Sequence, residues 1–138
     1  MKKLSLLLAA VLICASVCPA FAQARASDEI SYSWVTITEG EERGEIDVDF
    51  TVRAKGSYPM VGVWRIFLFQ ENGQYVETVW GSADNGLLSP EATTYYSGAY
   101  TFHVTPGVSY YAAVTLCAGT QTDYDTRLVK TAVVTAPY

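Results

Sequence analysis

The chain predicts an all-β fold, an antiparallel two-sheet sandwich of about seven strands that follows an N-terminal secretory leader. Three observations carry this. Residues 107–119 alternate at period two between glycines, with Tyr110, Ala112, Val114, Leu116 and Ala118 on one face and Tyr111, Ala113, Thr115 and Cys117 on the other. Similar short runs recur along the chain, separated by Gly, Pro, Asn and Asp clusters. No run joins a helical period to cap signals, so strands must bury one another.

The leader comes first. Lys2 and Lys3 precede an apolar run from Leu4 to Val17, Pro19 breaks it, and Ala20-Phe21-Ala22 supplies a small-x-small cleavage signal. Residues 1–22 read as a signal peptide cut after Ala22, with Ala24 as the alternative end. The apolar run is short of the about 20 residues that span a bilayer, so no membrane span is expected and the product is expected outside the cell. Ile13 and Val17 stand before Cys14 and Cys18, where a lipoprotein signal needs a small residue. Loss of Lys2 and Lys3 leaves seven basic against 14 acidic residues, a net charge of −7. Such a chain repels nucleic acid, which is therefore not an expected partner. The remaining about 116 residues suit one domain, and Cys117 alone of the three cysteines survives, so no internal disulfide is expected. Cys117 is expected to be either buried as a small hydrophobe or open to a partner chain.

Residues 23–29 are polar and small, and are expected to be a flexible leader to a domain over 30–138. Ile30 to Thr38 reads as the first strand and Glu39 to Gly44 as a charged turn. Glu45 to Arg53 alternates cleanly, with Ile46, Val48, Phe50 and Val52 inward and Glu45, Asp47, Asp49, Thr51 and Arg53 outward. The three outward acids read as a solubilising, edge-protecting face rather than a calcium site, because calcium wants six to eight oxygens converging from loops. Ala54 to Pro59 reads as a turn. Val61 to Gln70 is the most hydrophobic strand, with Trp64, Ile66 and Leu68 on one face and Val63, Arg65, Phe67 and Phe69 on the other. Asn72-Gly73 signals a type I′ hairpin into Tyr75–Trp80. Gly81 to Thr94 is a long turn-rich loop, Tyr95 to Val104 a strand, Gly107 to Gly119 the central strand, and Thr126 to Thr135 the last. The expected common core holds Val48, Phe50, Trp64, Ile66, Tyr110, Val114 and Leu116.

Val61-Gly62 before a hydrophobic strand, the Asn72-Gly73 hairpin, Tyr96-Ser97-Gly98, Gly107-x-x-Tyr110-x-Ala112-x-Val114 and the threonine- and valine-rich last strand together resemble small secreted immunoglobulin-like or fibronectin type III-like proteins of Gram-positive bacteria. The resemblance implies a sandwich with Trp64 at the position of the buried core tryptophan and Tyr110 as a tyrosine corner, its hydroxyl bonded to backbone upstream. It brings no active site with it.

The residue inventory points away from catalysis. His103 is the only histidine, no Gly-x-Ser-x-Gly motif accompanies it, and a Cys117–His103 nucleophile and base would also need an orienting group and an oxyanion hole. Zinc needs three or four ligands, and Asp123 and Asp125 with Asp84 read as solvated turns, so neither metal nor other cofactor is expected. What remains is recognition. The chain is 13% aromatic, and Trp80, Tyr95, Tyr111 and Tyr124 fall where the core does not require them. They are the candidate ligand contacts of a non-enzymatic extracellular binding or structural module, the partner being a protein or, in the alternative reading as a carbohydrate-binding module, a glycan.

Overall fold

The computed structural model describes residues 28–138, and the expected signal peptide with its Ala22 cleavage site lies outside them. The strands are β1 (Ile30–Glu39), β2 (Glu45–Tyr58), β3 (Met60–Gln70), β4 (Tyr75–Trp80), β5 (Thr93–His103), β6 (Ser109–Gly119), β7 (Tyr124–Lys130) and β8 (Val134–Thr135). They form two sheets, β1-β2-β5 and β4-β3-β6-β7, with β8 pairing β6 beside β7. Every pairing is antiparallel. Val48, Phe50, Val52 and Phe102 of the first sheet meet Val63, Ile66, Leu68, Val114 and Leu116 of the second in one apolar core. Among the described residues no helix is long and apolar enough to cross a membrane.

The structure corrects the expected strand map in several places. Trp64 is outside the core. Val63 faces Leu116 and Arg65 faces Thr115, so Trp64 is an extra residue on β3 with no partner on β6. Such a bulge reverses the alternation at one point, because side chains swap faces with every residue. Val61 and Val63 are therefore inward before the bulge, Ile66 and Leu68 after it, and Trp64 turns outward, half-buried.

Ala54 to Tyr58 is strand rather than turn. Arg53 pairs Tyr95 and Tyr58 pairs Thr93, so the chain absorbs its Gly56-Ser57 signal as a register irregularity, four residues of β2 against Thr94, and changes sheets at Pro59. The Asn72-Gly73 hairpin is not type I′, since only Gly73 has positive φ, at 89°. The Gly73 N–H donates to the Gln70 carbonyl at 2.9 Å, the Asn72 side chain accepts from the Gln74 N–H at 2.9 Å, and the register slips between Leu68 and Phe69. This is a type I turn followed by a left-handed glycine, the longer hairpin solution.

The expected last strand is broken, which raises the count among the described residues to eight. At the break Thr131 Oγ1 accepts from the Ala112 N–H at 2.9 Å, a bond that a straight ladder would route to backbone. The acidic strand β2 lies at the centre of its sheet, not at an edge, because β1 and β5 flank it. Glu29, the end of the expected flexible leader, is fastened. Its N–H donates to Asp125 Oδ2 at 2.8 Å, its carbonyl accepts from the Lys55 N–H, and its carboxylate accepts from the Tyr58 hydroxyl.

Tyr110 is buried in the core, and its hydroxyl accepts from the Thr105 N–H at 3.2 Å, tying the β5–β6 connection to the strand it enters. Tyr110→Phe is expected to cost about 0.5–1.5 kcal/mol, the usual net worth of one such bond. Equal urea midpoints for the two proteins would show that the bond contributes nothing. Phe50→Ala, which empties a fully buried site, is expected to cost about 3–5 kcal/mol, and Trp64→Ala distinctly less. Chemical denaturation of the two variants side by side checks this, and an equal loss would return Trp64 to the core.

Candidate ligand-binding site

The bulge places the Trp64 indole on the outer face of the β4-β3-β6-β7 sheet, where two of the four candidate contacts converge on it. The Tyr124 ring lies 5.0 Å from it, centroid to centroid, at 35°, and the Trp80 ring lies 6.2 Å away at 86°. One neighbour leans along the indole and the other stands edge-on to it. Trp80 is 56% exposed. Its other neighbour is Arg65, whose guanidinium lies 5.4 Å from the Trp80 ring and 4.2 Å from the Phe67 ring.

Beside Trp64 is an open cleft of about 830 Å³, lined by Met60, Trp64, Ser82, Leu88 and Gln121 among others. Its volume is within the range of small-molecule sites, and its lining mixes one large ring and aliphatic groups with a hydroxyl and an amide. The far wall is residues 81–89, and hydrogen bonds hold that wall in shape. Asn85 Oδ1 accepts from the N–H groups of Ser82 (3.0 Å) and Leu87 (3.2 Å), while Asn85 Nδ2 donates to the Trp80 carbonyl at 2.8 Å. Leu87 is fully buried and anchors the segment. The Val63 N–H donates to the Leu87 carbonyl at 2.7 Å, and the Ser89 N–H to the Val61 carbonyl at 2.9 Å, so the segment continues the edge that β4 leaves. Gly81 permits the approach, because a Cβ there would run into the Val63 carbonyl.

The other two candidates are elsewhere. Tyr111 lies further along the same sheet face, stacked on Phe69 at 5.3 Å with Lys130 4.4 Å from its ring. Tyr95 is on the outer face of β1-β2-β5, on the other side of the sandwich. Sequence reading missed Trp64 as a site residue because a bulge leaves no mark in an alternation pattern. It also passed over Tyr32 and Trp34, although their phase opposite Val35 and Ile37 marks them as outward.

The groups that catalysis would use are separated. His103 is exposed on β5, its Nδ1 3.5 Å from Glu45 Oε1. Cys117 is buried on β6 of the other sheet, where burial pushes its thiol up to about 12. Asp84 is in the cleft-wall loop, whereas Asp123 and Asp125 border the β6–β7 turn. Among the described residues no three His, Cys, Asp or Glu side chains gather as metal ligands.

No family model matches the chain. No curated protein matches it either. Among solved structures, a family 76 glycoside hydrolase from a bovine Bacteroides thetaiotaomicron strain is similar at a TM-score of 0.43 and 19% identity, over 75% of this chain and 20% of that one. The chain thus spans about a fifth of that protein's length.

On the outer face of β2 the Asp49 carboxyl is held above its ordinary value, first by burial and then by the charge of Asp47. The folded state therefore binds this proton more tightly than the unfolded chain, and the ionised form opposes folding once pH rises past the folded-state pKa. Asp49→Asn is expected to raise the melting temperature at pH 7, with the gain shrinking as pH falls into the ordinary carboxylate range. Melting curves from pH 3 to 7 check it, and a loss of stability at pH 7 would contradict the assigned direction.

Proposed function

We propose that the chain is a secreted, non-enzymatic binding module that takes a carbohydrate in the Trp64 cleft. The observation that carries this reading is the bulge. It removes from the core an indole that the strand's alternation would bury, and sets it beside a cleft with a second tryptophan at right angles. Bulges recur where a side chain must be re-aimed at a site, and a half-buried indole on a cleft wall offers apolar ring surface to the C–H side of a sugar ring. Ser82 and Gln121 supply hydroxyl and amide groups for sugar hydroxyls at the same cleft.

The strand order β1-β2-β5 against β4-β3-β6-β7, with Tyr110 tied upstream, supports the immunoglobulin-like or fibronectin type III-like resemblance. The expected leader supports export. The separation of His103 from Cys117 supports a role in binding rather than turnover.

A glycan array followed by calorimetric titration of the best neutral hit tests the proposal. Trp64→Ala and Trp80→Ala are expected to weaken binding by about tenfold or more, as hot-spot aromatics do, while Tyr111→Ala leaves it unchanged. Trp64→Phe, which keeps a ring, separates loss of contact from loss of fold by retaining part of the affinity. Release of reducing sugar from the bound glycan would overturn the non-enzymatic reading. A blank array, with a protein partner captured in a Trp64-dependent way, would overturn the carbohydrate reading.

A further inference from the structure

The outer face of β1-β2-β5 is built in rows that the strand register fixes. Tyr32, Arg53 and Tyr95 lie side by side in one row, and Trp34, Thr51 and Ser97 in the next. Tyr32, Trp34 and Tyr95 are 52%, 49% and 49% exposed, and neither Tyr32 nor Trp34 makes a ring contact with any described residue. Directly paired residues have Cβ atoms about 5 Å apart, so Tyr32, Arg53 and Tyr95 are neighbours within their row, with Trp34 in the row beside it. Ser97 Oγ donates to the Tyr95 hydroxyl at 2.9 Å and shares a bond of 2.8 Å with Thr51 Oγ1, which lines the same surface with oriented hydroxyls.

Arg53 is exposed and has no carboxylate within 4 Å among the described residues, although its own strand carries three. Its guanidinium lies instead 5.9 Å from the Tyr95 ring. Asp49 is four residues along β2, about 13 Å away at the rise of a strand, which exceeds the screening length of about 8 Å in physiological salt. The face is therefore polarised, cationic and aromatic at one end, anionic at the other where Asp49, Asp47 and Glu45 follow. A polyanion lying along β2 would meet those acids. A short ligand lying across the strands would not.

We propose that this row is a second binding site, independent of the Trp64 cleft, for a carboxylate-bearing sugar of the uronic-acid type. The sugar lies across Tyr32, Arg53 and Tyr95 and against Trp34 in the next row, its C–H faces on the rings and its carboxylate on the Arg53 fork. Charge complementarity selects this occupant. A neutral sugar leaves the guanidinium without a partner, and a cationic peptide is drawn to the Asp47 and Asp49 end. Planar bidentate capture of a carboxylate is what an arginine with free donors offers.

Calorimetric titration of the chain with trigalacturonic acid, its methyl ester and a glucuronate-containing trisaccharide tests the proposal. At least one free acid is expected to bind about tenfold or more tightly than the ester, the scale of one charge-assisted contact. The two acids tell which uronic sugar is preferred. Arg53→Gln is expected to erase the difference between acid and ester, Trp34→Ala to weaken both, and Trp64→Ala to change neither. Arg53 and Trp34 are exposed, so both variants should keep the melting temperature of the parent chain. Equal affinity for acid and ester, loss of acid binding on Trp64→Ala, or no binding of any saccharide would each overturn it. So would Arg53-dependent capture of a peptide C-terminus in place of the saccharides.

Discussion

One unpaired residue in β3 governs the arrangement of this sandwich. β3 lies between β4 and β6 and contributes to the core along its length, so its alternation has to serve the other sheet at both ends. Without the slip at Trp64, either Val61 and Val63 or Ile66 and Leu68 would face water, and on the order of 25 cal/mol would be lost for each Å² of apolar surface uncovered. The slip lets both pairs bury. The residue skipped is the largest in the strand, and it leaves the core with Arg65 beside it. Core and cleft thus have a common origin, since the bulge that completes the first opens the second.

The outer face of the same sheet is held by rings and cations rather than ion pairs. Trp80, Arg65, Phe67, Phe69, Tyr111 and Lys130 form a run of neighbouring contacts across β4, β3, β6 and β7. Cation and ring attract through the ring quadrupole, which survives salt better than an exposed ion pair does. This run occupies the rings at the Tyr111 end with one another. The rings of Tyr32 and Trp34 on the opposite sheet have no such neighbours, which is why the two faces differ in what they leave available to a ligand.

The architecture was legible because it rests on alternation and turn chemistry, both local. Ile46, Val48, Phe50 and Val52 on β2, and Tyr110, Val114 and Leu116 on β6, are inward as their phase requires. What could not be read were events that alternation does not encode. The Trp64 bulge changes phase with no glycine or proline to mark it. The Gly56-Ser57 signal reads as a turn, yet the pairing of Tyr58 with Thr93 keeps the backbone extended across it. At Asn72, the hairpin type was set by one extra residue in the loop. The candidate contacts fared according to their neighbours: Trp80 and Tyr124 meet at Trp64, but which sheet Tyr95 belongs to depends on the change of sheet between Ser89, bonded to Val61, and Thr93, paired with Tyr58, a long-range choice.

The interruption at Thr131 has a consequence for how the protein behaves at high concentration. β7 and β8 form the outer border of their sheet, where a straight strand would show an unbroken row of free N–H and C=O groups to any other chain. Here the border is divided into runs of seven and two residues, offset from each other, with Thr131 turned inward to bond Ala112. On the opposite border, residues 87–89 cap the part of β3 that β4 leaves open. Neither border of this sheet thus offers a partner chain a strand longer than the seven residues of β7, which limits strand addition there to short runs.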